Sequence, residues 1–347
     1  MNQATVDLSG EAVEPVVTIV IVTYNVGKFV AESLQSALNQ SFSDFELILA
    51  DDGSTDDTVE IARSFRDPRI SVLACPHRGP TWVLNEGFAR ARGRYVALLD
   101  GDDLWAPDRL RHHVEYMESQ PDVDLTFSLA RTIEEDGTDT GFISRQWSGP
   151  VPFSFFLTEN LAGASAVTVR RSAAVQAGQF DTKMEAAYDY DLWLRIAVLR
   201  EGNIHCIPEP LSCYRRRCGQ LTKDWRLMER SGPYLADKFR MLRPAEMRRA
   251  DPRRLLNLYR CLAMIAYEGG AYRDGAKLLW RSLAASPIGF FTTPSCYRAI
   301  LAIAAGLVLP VPWVRPLEGL ASRLARLRRK AAPARLTRGS QRLFPPV

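Results

Sequence analysis

The 347-residue sequence has only four histidines, His77, His112, His113 and His205, and their spacing does not suit a zinc site. Its six cysteines, at 75, 206, 213, 218, 261 and 296, make no CxxC pair and no framework spacing, so they read as free thiols of a reducing compartment. Residues 1–15 hold Asp7, Glu11 and Glu14 but no Lys or Arg, the reverse of a secretory leader, so the chain is expected to stay in the cytoplasm. The longest apolar stretch, residues 299–314, falls short of the ~20 residues of a membrane span and is broken by Gly306, Pro310 and Pro312. That excludes an ordinary transmembrane helix and leaves room for an interfacial or re-entrant segment. Also missing is a glycine-rich loop bearing Lys or Arg after the first strand-like run, which argues against a sugar-phosphate nucleotidyltransferase.

What is present is ordinary for a globular protein: 46% apolar and 24% charged residues, in a length that suits one large domain with a smaller one. Charge is uneven. The chain as a whole carries +4, but residues 315–347 hold nine Lys or Arg against Glu318 alone, a net +8 that leaves −4 for the rest. A basic end beside an apolar segment suits the anionic inner face of a membrane, where each basic residue contributes about 1 kcal/mol. A solvated tail would have the same composition. Nucleic acid is the poorer partner, because no aromatic platform interleaves the basic residues and no recognised motif is present.

Hydrophobic patterning alternates strand and helix through the first hundred residues, the signature of βαβ units and a parallel sheet. Strands are expected over 16–22, 45–50, 70–75 and 95–99. Helices are expected over 26–40, where Phe29, Val30, Leu34, Ala37 and Leu38 share a stripe, over 54–65 with Thr55 or Asp56 as N-cap, and over 81–92. Beyond them the pattern predicts a helix opening near Pro107, strands over 125–133 and 164–169, and a loop over 134–147. A helix face with Leu192, Ile196 and Leu199 follows Asp189, and residues 204–214, with Pro208 and Pro210, read as an edge strand or irregular segment. From about residue 222 the pattern is helical. Two apolar-periodic segments at 255–287, divided by Gly269-Gly270, fit one tetratricopeptide-like hairpin or a plain helical extension.

Two carboxylate clusters stand out. Asp100-Gly101-Asp102-Asp103 directly follows the apolar run Tyr95-Val96-Ala97-Leu98-Leu99, and Asp51-Asp52-Gly53-Ser54-Thr55-Asp56-Asp57 follows Phe45-Glu46-Leu47-Ile48-Leu49-Ala50. Asp and Gly after a strand are also ordinary turn residues, so one such cluster alone is as readily a turn as a ligand set. Two of them at the carboxyl ends of strands in one open sheet face one crevice, where hard oxygen ligands suit a divalent cation carrying a phosphorylated substrate.

The sequence resembles glycosyltransferase family 2, the large inverting family with the GT-A fold. The matching segments are Val17 to Asn25, Ser36-Ala37-Leu38-Asn39-Gln40, both carboxylate clusters, Gly79-Pro80, Asn85-Glu86-Gly87 and Gly93-Arg94-Tyr95, and the resemblance covers 16 to about 222. It implies an α/β GT-A fold, Rossmann-like, with a mostly parallel sheet flanked by helices and a C-terminal α-helical extension. The implied organisation is an N-terminal tail (1–15), a glycosyltransferase domain (16–222), a helical region (223–314) and the basic tail (315–347).

By the same resemblance, Thr23 and Tyr24 line the nucleotide base, Asp52 hydrogen-bonds the uracil, and Asp100 lies by the ribose and the metal. Asp102 binds Mg2+ or Mn2+ together with the diphosphate, and Asp103 is a supporting group or helix cap. Asp189 is the carboxylate that takes the acceptor's proton, although a helix N-cap role stays open for it. Asp191, four residues before Arg195, reads as one half of an intrahelical ion pair. Three residues depart from the family pattern: Leu84 where an Arg is common, Tyr188 where a Glu usually precedes the base, and Arg217 where relatives often carry a His. Arg217 reads as a diphosphate contact or a surface charge. The implied activity is that of an inverting, metal-dependent hexosyltransferase moving a sugar from a nucleotide-sugar, a UDP-sugar for preference, to a hydroxyl of a glycan or lipid-linked acceptor in cell-surface polysaccharide synthesis. The alternative is a non-catalytic nucleotide-sugar-binding or assembly subunit of such a system.

Overall fold

The structure is a computed structural model that describes residues 14–308. The N-terminal tail, apart from residues 14 and 15, and the whole basic tail lie outside the described residues. The chain divides into two compact units, one taking residues up to Phe153 with Asn160–Arg217, the other taking Ser154–Glu159 with the chain from Cys218.

In the first unit the β-branched run of β1 (Val17–Thr23) is buried almost throughout and pairs in parallel with both β2 (Phe45–Asp51) and β4 (Tyr95–Asp100). Burial on both faces is what continuous apolar strands of a parallel sheet require. β3 (Ile70–Ala74) extends the parallel set beyond β2. The crossovers are α1 (Gly27–Leu38), which buries Phe29, Val30, Leu34 and Ala37, then α2 (Thr58–Ser64) and α3 (Pro80–Arg90). β5 (Leu104–Trp105) and α4 (Arg109–Ser119) lead to β6 (Leu125–Ile133), β7 (Asp139–Ile143) and β8 (Gly149–Pro150), after which the short α5 (Phe153–Phe156) passes at Ser154 into the second unit. β9 (Val167–Arg170), α6 (Arg171–Gln176), α7 (Tyr188–Leu199) and β10 (Ile204–Arg215) complete the first unit. The strand order is β3-β2-β1-β4-β9-β6-β10-β5, with β9 antiparallel to both β4 and β6 and β10 parallel to β6.

Four local expectations change. Residues 134–147 are not a plain loop, because β7 folds back on β6 through a turn in which Glu134 and Thr138 pair. The strand at 164–169 begins only at Val167, after a 3-10 turn at Ala164–Ala166. The segment carrying Pro208 and Pro210 is irregular, as its prolines demand, with register shifts between Ile207 and Ser212; it is not an edge, since β5 and β8 pair with its other side. Finally, α2 starts at Thr58 after Asp57, because the Asp56 carboxylate is taken by the N–H groups of Gly27 (2.9 Å) and Thr58 (3.1 Å).

The second unit is helical. α8 (Trp225–Leu242) opens on Asp224, whose carboxylate accepts the N–H groups of Arg226 and Leu227 at 3.0 and 3.1 Å. α9 (Pro244–Glu268) and α10 (Tyr272–Ala285) form an antiparallel hairpin turned by Gly269-Gly270, with Gly270 at φ 77. α11 (Pro287–Phe291) and α12 (Pro294–Val308) close the unit around Leu256, Leu262, Ala263, Leu278, Cys296, Ala299 and Ile303.

Candidate active site

The clustered acids stand at the carboxyl ends of β2 and β4, on either side of the end of β1. At the first of them Thr23, buried, donates its hydroxyl to Asp51 Oδ1 (2.8 Å), and Asp51 also accepts the Ser54 N–H (2.8 Å). Asn25 turns the chain at φ 50, a left-handed conformation that Asn tolerates, and its Oδ1 accepts the Thr55 N–H at 2.8 Å. Asp52 is 2% exposed. Its carboxylate accepts the N–H groups of Arg78 (2.9 Å) and Gly79 (3.0 Å) and meets His77 Nδ1 at 2.9 Å, so it fixes the chain after β3. The result is that the His77 ring stacks on Tyr24, with centroids 4.3 Å apart and planes 15° from parallel. Both rings are exposed, forming an aromatic platform beside the ends of β1 and β3.

At the end of β4, Gly101 donates its N–H to Val22 O (2.9 Å), and a Cβ at this position would lie 2.6 Å from Thr23 Cγ2. Only glycine lets this turn lie so close to β1, which draws the two carboxylate clusters onto one rim. Asp102 is buried and takes the Arg217 Nε at 2.5 Å. Arg217 is therefore not a surface charge. Asp103 caps no helix: Oδ1 accepts the Arg215 N–H (2.8 Å) and Oδ2 the Ser165 hydroxyl (2.6 Å), while Ser165 Oγ accepts the Asp100 N–H (3.0 Å). The Arg215 side chain, 2% exposed, donates to the carbonyls of Asp102 (2.8 Å) and Glu135 (3.0 Å) and pairs with Glu32 (2.6 Å). Asp103 and Arg215 thus hold the turn that presents Asp100 and Asp102.

Asp189 enters on the first turn of α7. The residue before that helix is Ala187, at φ 55, and it makes no side-chain cap. Asp189 Oδ1 instead accepts the N–H of Tyr190 at 2.7 Å and is also hydrogen-bonded by the Asn160 side chain, so the N-cap reading of Asp189 falls. The segment before α7 is pinned from two sides. Asn85 holds both backbone groups of Phe180 (2.8 and 3.0 Å), and Phe180 meets Phe88, Tyr188 and Trp193 edge-on. Asp191 pairs with Arg195 at 2.8 Å, and Arg195 also grips the carbonyls of Gln179 (2.6 Å) and Ala177. An αL alanine is a strained backbone, and such strain persists where surrounding contacts over-determine it.

The electrostatics follow from crowding acids together away from water. Burial, then the negative charges of Asp102 and Asp189, push Asp100 up to about 7. Burial, then the negative charges of Asp102 and Asp100, raise Asp103 well above the usual carboxylate range. Burial raises Asp189 to about 6, against the lowering effect of the Tyr190 N–H and Asn160. The Tyr188 phenol, standing where the family usually carries a Glu, is raised by burial and then by Asp100, Asp189 and Asp102.

Among the described residues no group of three or more His, Cys, Asp or Glu side chains has the geometry of a closed metal site. The pair Asp100 and Asp102 nevertheless fits a hard divalent cation of the magnesium type, which takes one or two carboxylates and completes its shell with phosphate oxygens. The Asp102 charge raises Asp100, and a cation shared by the two carboxylates would relieve that repulsion.

The structure therefore gathers Thr23, Tyr24 and Asp52 at one end of the rim and Asp100, Asp102 and Arg217 at the other, with Asp189 charge-coupled to Asp100. Sequence reasoning passed over His77, Ser165, Asn160, Glu32 and Arg215. For Arg215 a signal existed: it directly follows the extended segment 204–214 and opens the basic cluster Arg215-Arg216-Arg217. Ser165, Asn160 and Glu32 carry no local signal, because their partners are distant in sequence.

The sequence model described as Glycosyl transferase family 2 matches residues 18–172. An uncharacterized glycosyltransferase of Methanocaldococcus jannaschii is 31% identical over 212 residues, 59% of this chain and 72% of that protein. Chondroitin synthase of Escherichia coli is 28% identical over 189 residues, 53% of this chain, and the match spans only 26% of the synthase. Among solved structures, S. aureus TarS 1–349 in complex with UDP-GlcNAc superposes with a TM-score of 0.52 at 18% identity, covering 84% of this chain and 81% of that one. A mannosyltransferase of Pyrobaculum calidifontis in complex with GDP-Man and Mn2+ superposes with a TM-score of 0.54 at 18% identity, covering 92% of this chain and 88% of that one. At these identities the structural likeness establishes the fold.

Proposed function

The chain belongs to glycosyltransferase family 2 and has the GT-A fold, and on that premise we propose that it is a metal-dependent inverting hexosyltransferase using a nucleotide-sugar, with Asp189 as its base. The observation that carries this reading is the placement of Asp189, raised to about 6, within electrostatic reach of Asp100 at the end of β4. A base with that affinity for a proton is ionised at neutral pH yet strong enough to accept one from a hydroxyl.

In this account the base of the donor lies on the platform of Tyr24 and His77, beside Thr23 and Asp52. Asp100 and Asp102 would hold Mg2+ or Mn2+, which when bound stabilises negative charge on the leaving nucleoside diphosphate. Arg217, now paired with Asp102, has a planar guanidinium that suits the same phosphate oxygens. The acceptor hydroxyl attacks the anomeric carbon from the side opposite the diphosphate as Asp189 takes its proton. The carbon–oxygen bond to the diphosphate breaks, and configuration inverts without a covalent sugar–enzyme intermediate. Asp189 is held for this by Asn160 and by the pinned segment before α7.

A UDP-sugar donor and a glycan or lipid-linked acceptor, in polysaccharide synthesis, are the substrates the family resemblance supports. The test is a screen of UDP- and GDP-sugars, with and without Mn2+ or Mg2+, reading released nucleoside diphosphate with candidate acceptors. Metal-dependent release from a UDP-sugar supports the proposal. Tight UDP binding with no turnover of any donor favours the alternative of a binding or assembly subunit.

A further inference from the structure

The second unit turns an apolar face outward. α12 buries Cys296, Ala299, Ile303 and Gly306, a stripe spaced three and four residues apart that packs on α9 and α10; a Cβ on Gly306 would lie 2.5 Å from the Tyr272 ring. The opposite side of the same helix carries Tyr297, Ile300, Leu301, Leu307 and Val308, of which Leu301 is 71% and Val308 80% exposed. The face continues into α11, where Phe291 is exposed and its carbonyl accepts the Tyr297 hydroxyl at 2.7 Å. From Pro287 to Val308 the sequence has a single charged residue, Arg298.

We propose that this face docks on an anionic lipid bilayer, with the helix lying in the plane of the interface. Three observations select that occupant. First, no helix among the described residues is long and apolar enough to cross a membrane, and the sequence places Pro310 and Pro312 directly after α12. Second, its other side is already packed against its own unit, so only one face is free to enter the headgroup region, as in a monotopic helix. Third, the sequence that follows brings a net +8 within residues 315–347. A second copy of the chain seated on this face would set that charge beside an equal one, whereas anionic headgroups neutralise it.

The experiment is flotation of the full chain with vesicles, at low salt, using phosphatidylcholine alone or an equal mixture with phosphatidylglycerol. The chain floats with the mixed vesicles and stays behind with phosphatidylcholine alone. The double variant Leu301→Glu, Val308→Glu lowers the floated fraction about tenfold, because two charges enter the apolar contact. The milder Leu301→Gln gives an intermediate loss, and thermal melts of both variants match the parent. The proposal is overturned if the full chain fails to float with mixed vesicles, or if the double variant floats like the parent, which would leave the basic sequence acting alone. It is equally overturned if light scattering shows a dimer that the double variant dissociates.

Discussion

The two units resolve opposite problems. The α/β unit takes charge inside: Asp51, Asp52, Asp102, Asp103, Arg109, Asp191 and Arg215 are all less than a tenth exposed. The helical unit leaves apolar side chains outside, with Met241, Trp280, Ile288, Leu301 and Val308 all more than two-thirds exposed. Neither arrangement is the one that maximises stability, since buried charge is costly unless paired and exposed apolar surface gains nothing from folding. The difference marks where each unit is proposed to meet its ligand. Charge converges at the carboxyl ends of parallel strands, and apolar surface gathers on one side of the last described helices.

The comparison breaks most sharply at the carboxylates. Replacing Asp102 with Asn should lower metal-dependent turnover by roughly 10² to 10³, the scale of removing one group that stabilises the leaving charge, with the melting temperature little changed. Steady-state rates across a Mn2+ titration check this. Next, Arg215→Ala should lower unfolding free energy by about 3 kcal/mol, because Glu32 and two carbonyls lose a buried partner. Urea unfolding reads it, and a loss near zero would mean that Arg215 is not holding the turn.

A smaller effect is set by pH. The proposed base Asp189, raised by burial to about 6, would have to be ionised to accept a proton, so kcat/KM should be flat above that value and fall about tenfold per pH unit below it. An acidic limb at the ordinary carboxylate value would place the base elsewhere. The least effect belongs to the helical unit. Leu301→Ser should change unfolding free energy by less than about 0.5 kcal/mol, since this exposed side chain contributes little to the fold.

The parallel half of the sheet is legible because β1, β2 and β4 are largely apolar runs, of which β2 and β4 end in acids, a pattern that marks both the strand and its carboxyl end. Asp189 is legible through its place in the motif order. What the sequence conceals is the support. Asp103 reads as an extra turn carboxylate until Ser165 and Arg215, 62 and 112 residues away, are seen to hold it. Asn85 stands out as a motif residue, but nothing local says that it grips Phe180 across 95 residues to steady the segment before α7. The hairpin at β7 was hidden for a simpler reason: Asp139-Thr140-Gly141-Phe142-Ile143 is mostly exposed and carries little alternation.

The central claim is that Asp189 takes the proton of the attacking acceptor hydroxyl while the acids at the end of β4 hold the donor. It is tested most directly by comparing the parent with Asp189→Asn in paired measurements, UDP binding by calorimetry and nucleoside diphosphate release with a working donor and acceptor. The account predicts unchanged UDP affinity with turnover lowered about 10² to 10⁴-fold, the usual contribution of a general base. Turnover within a few-fold of the parent at unchanged affinity would contradict it.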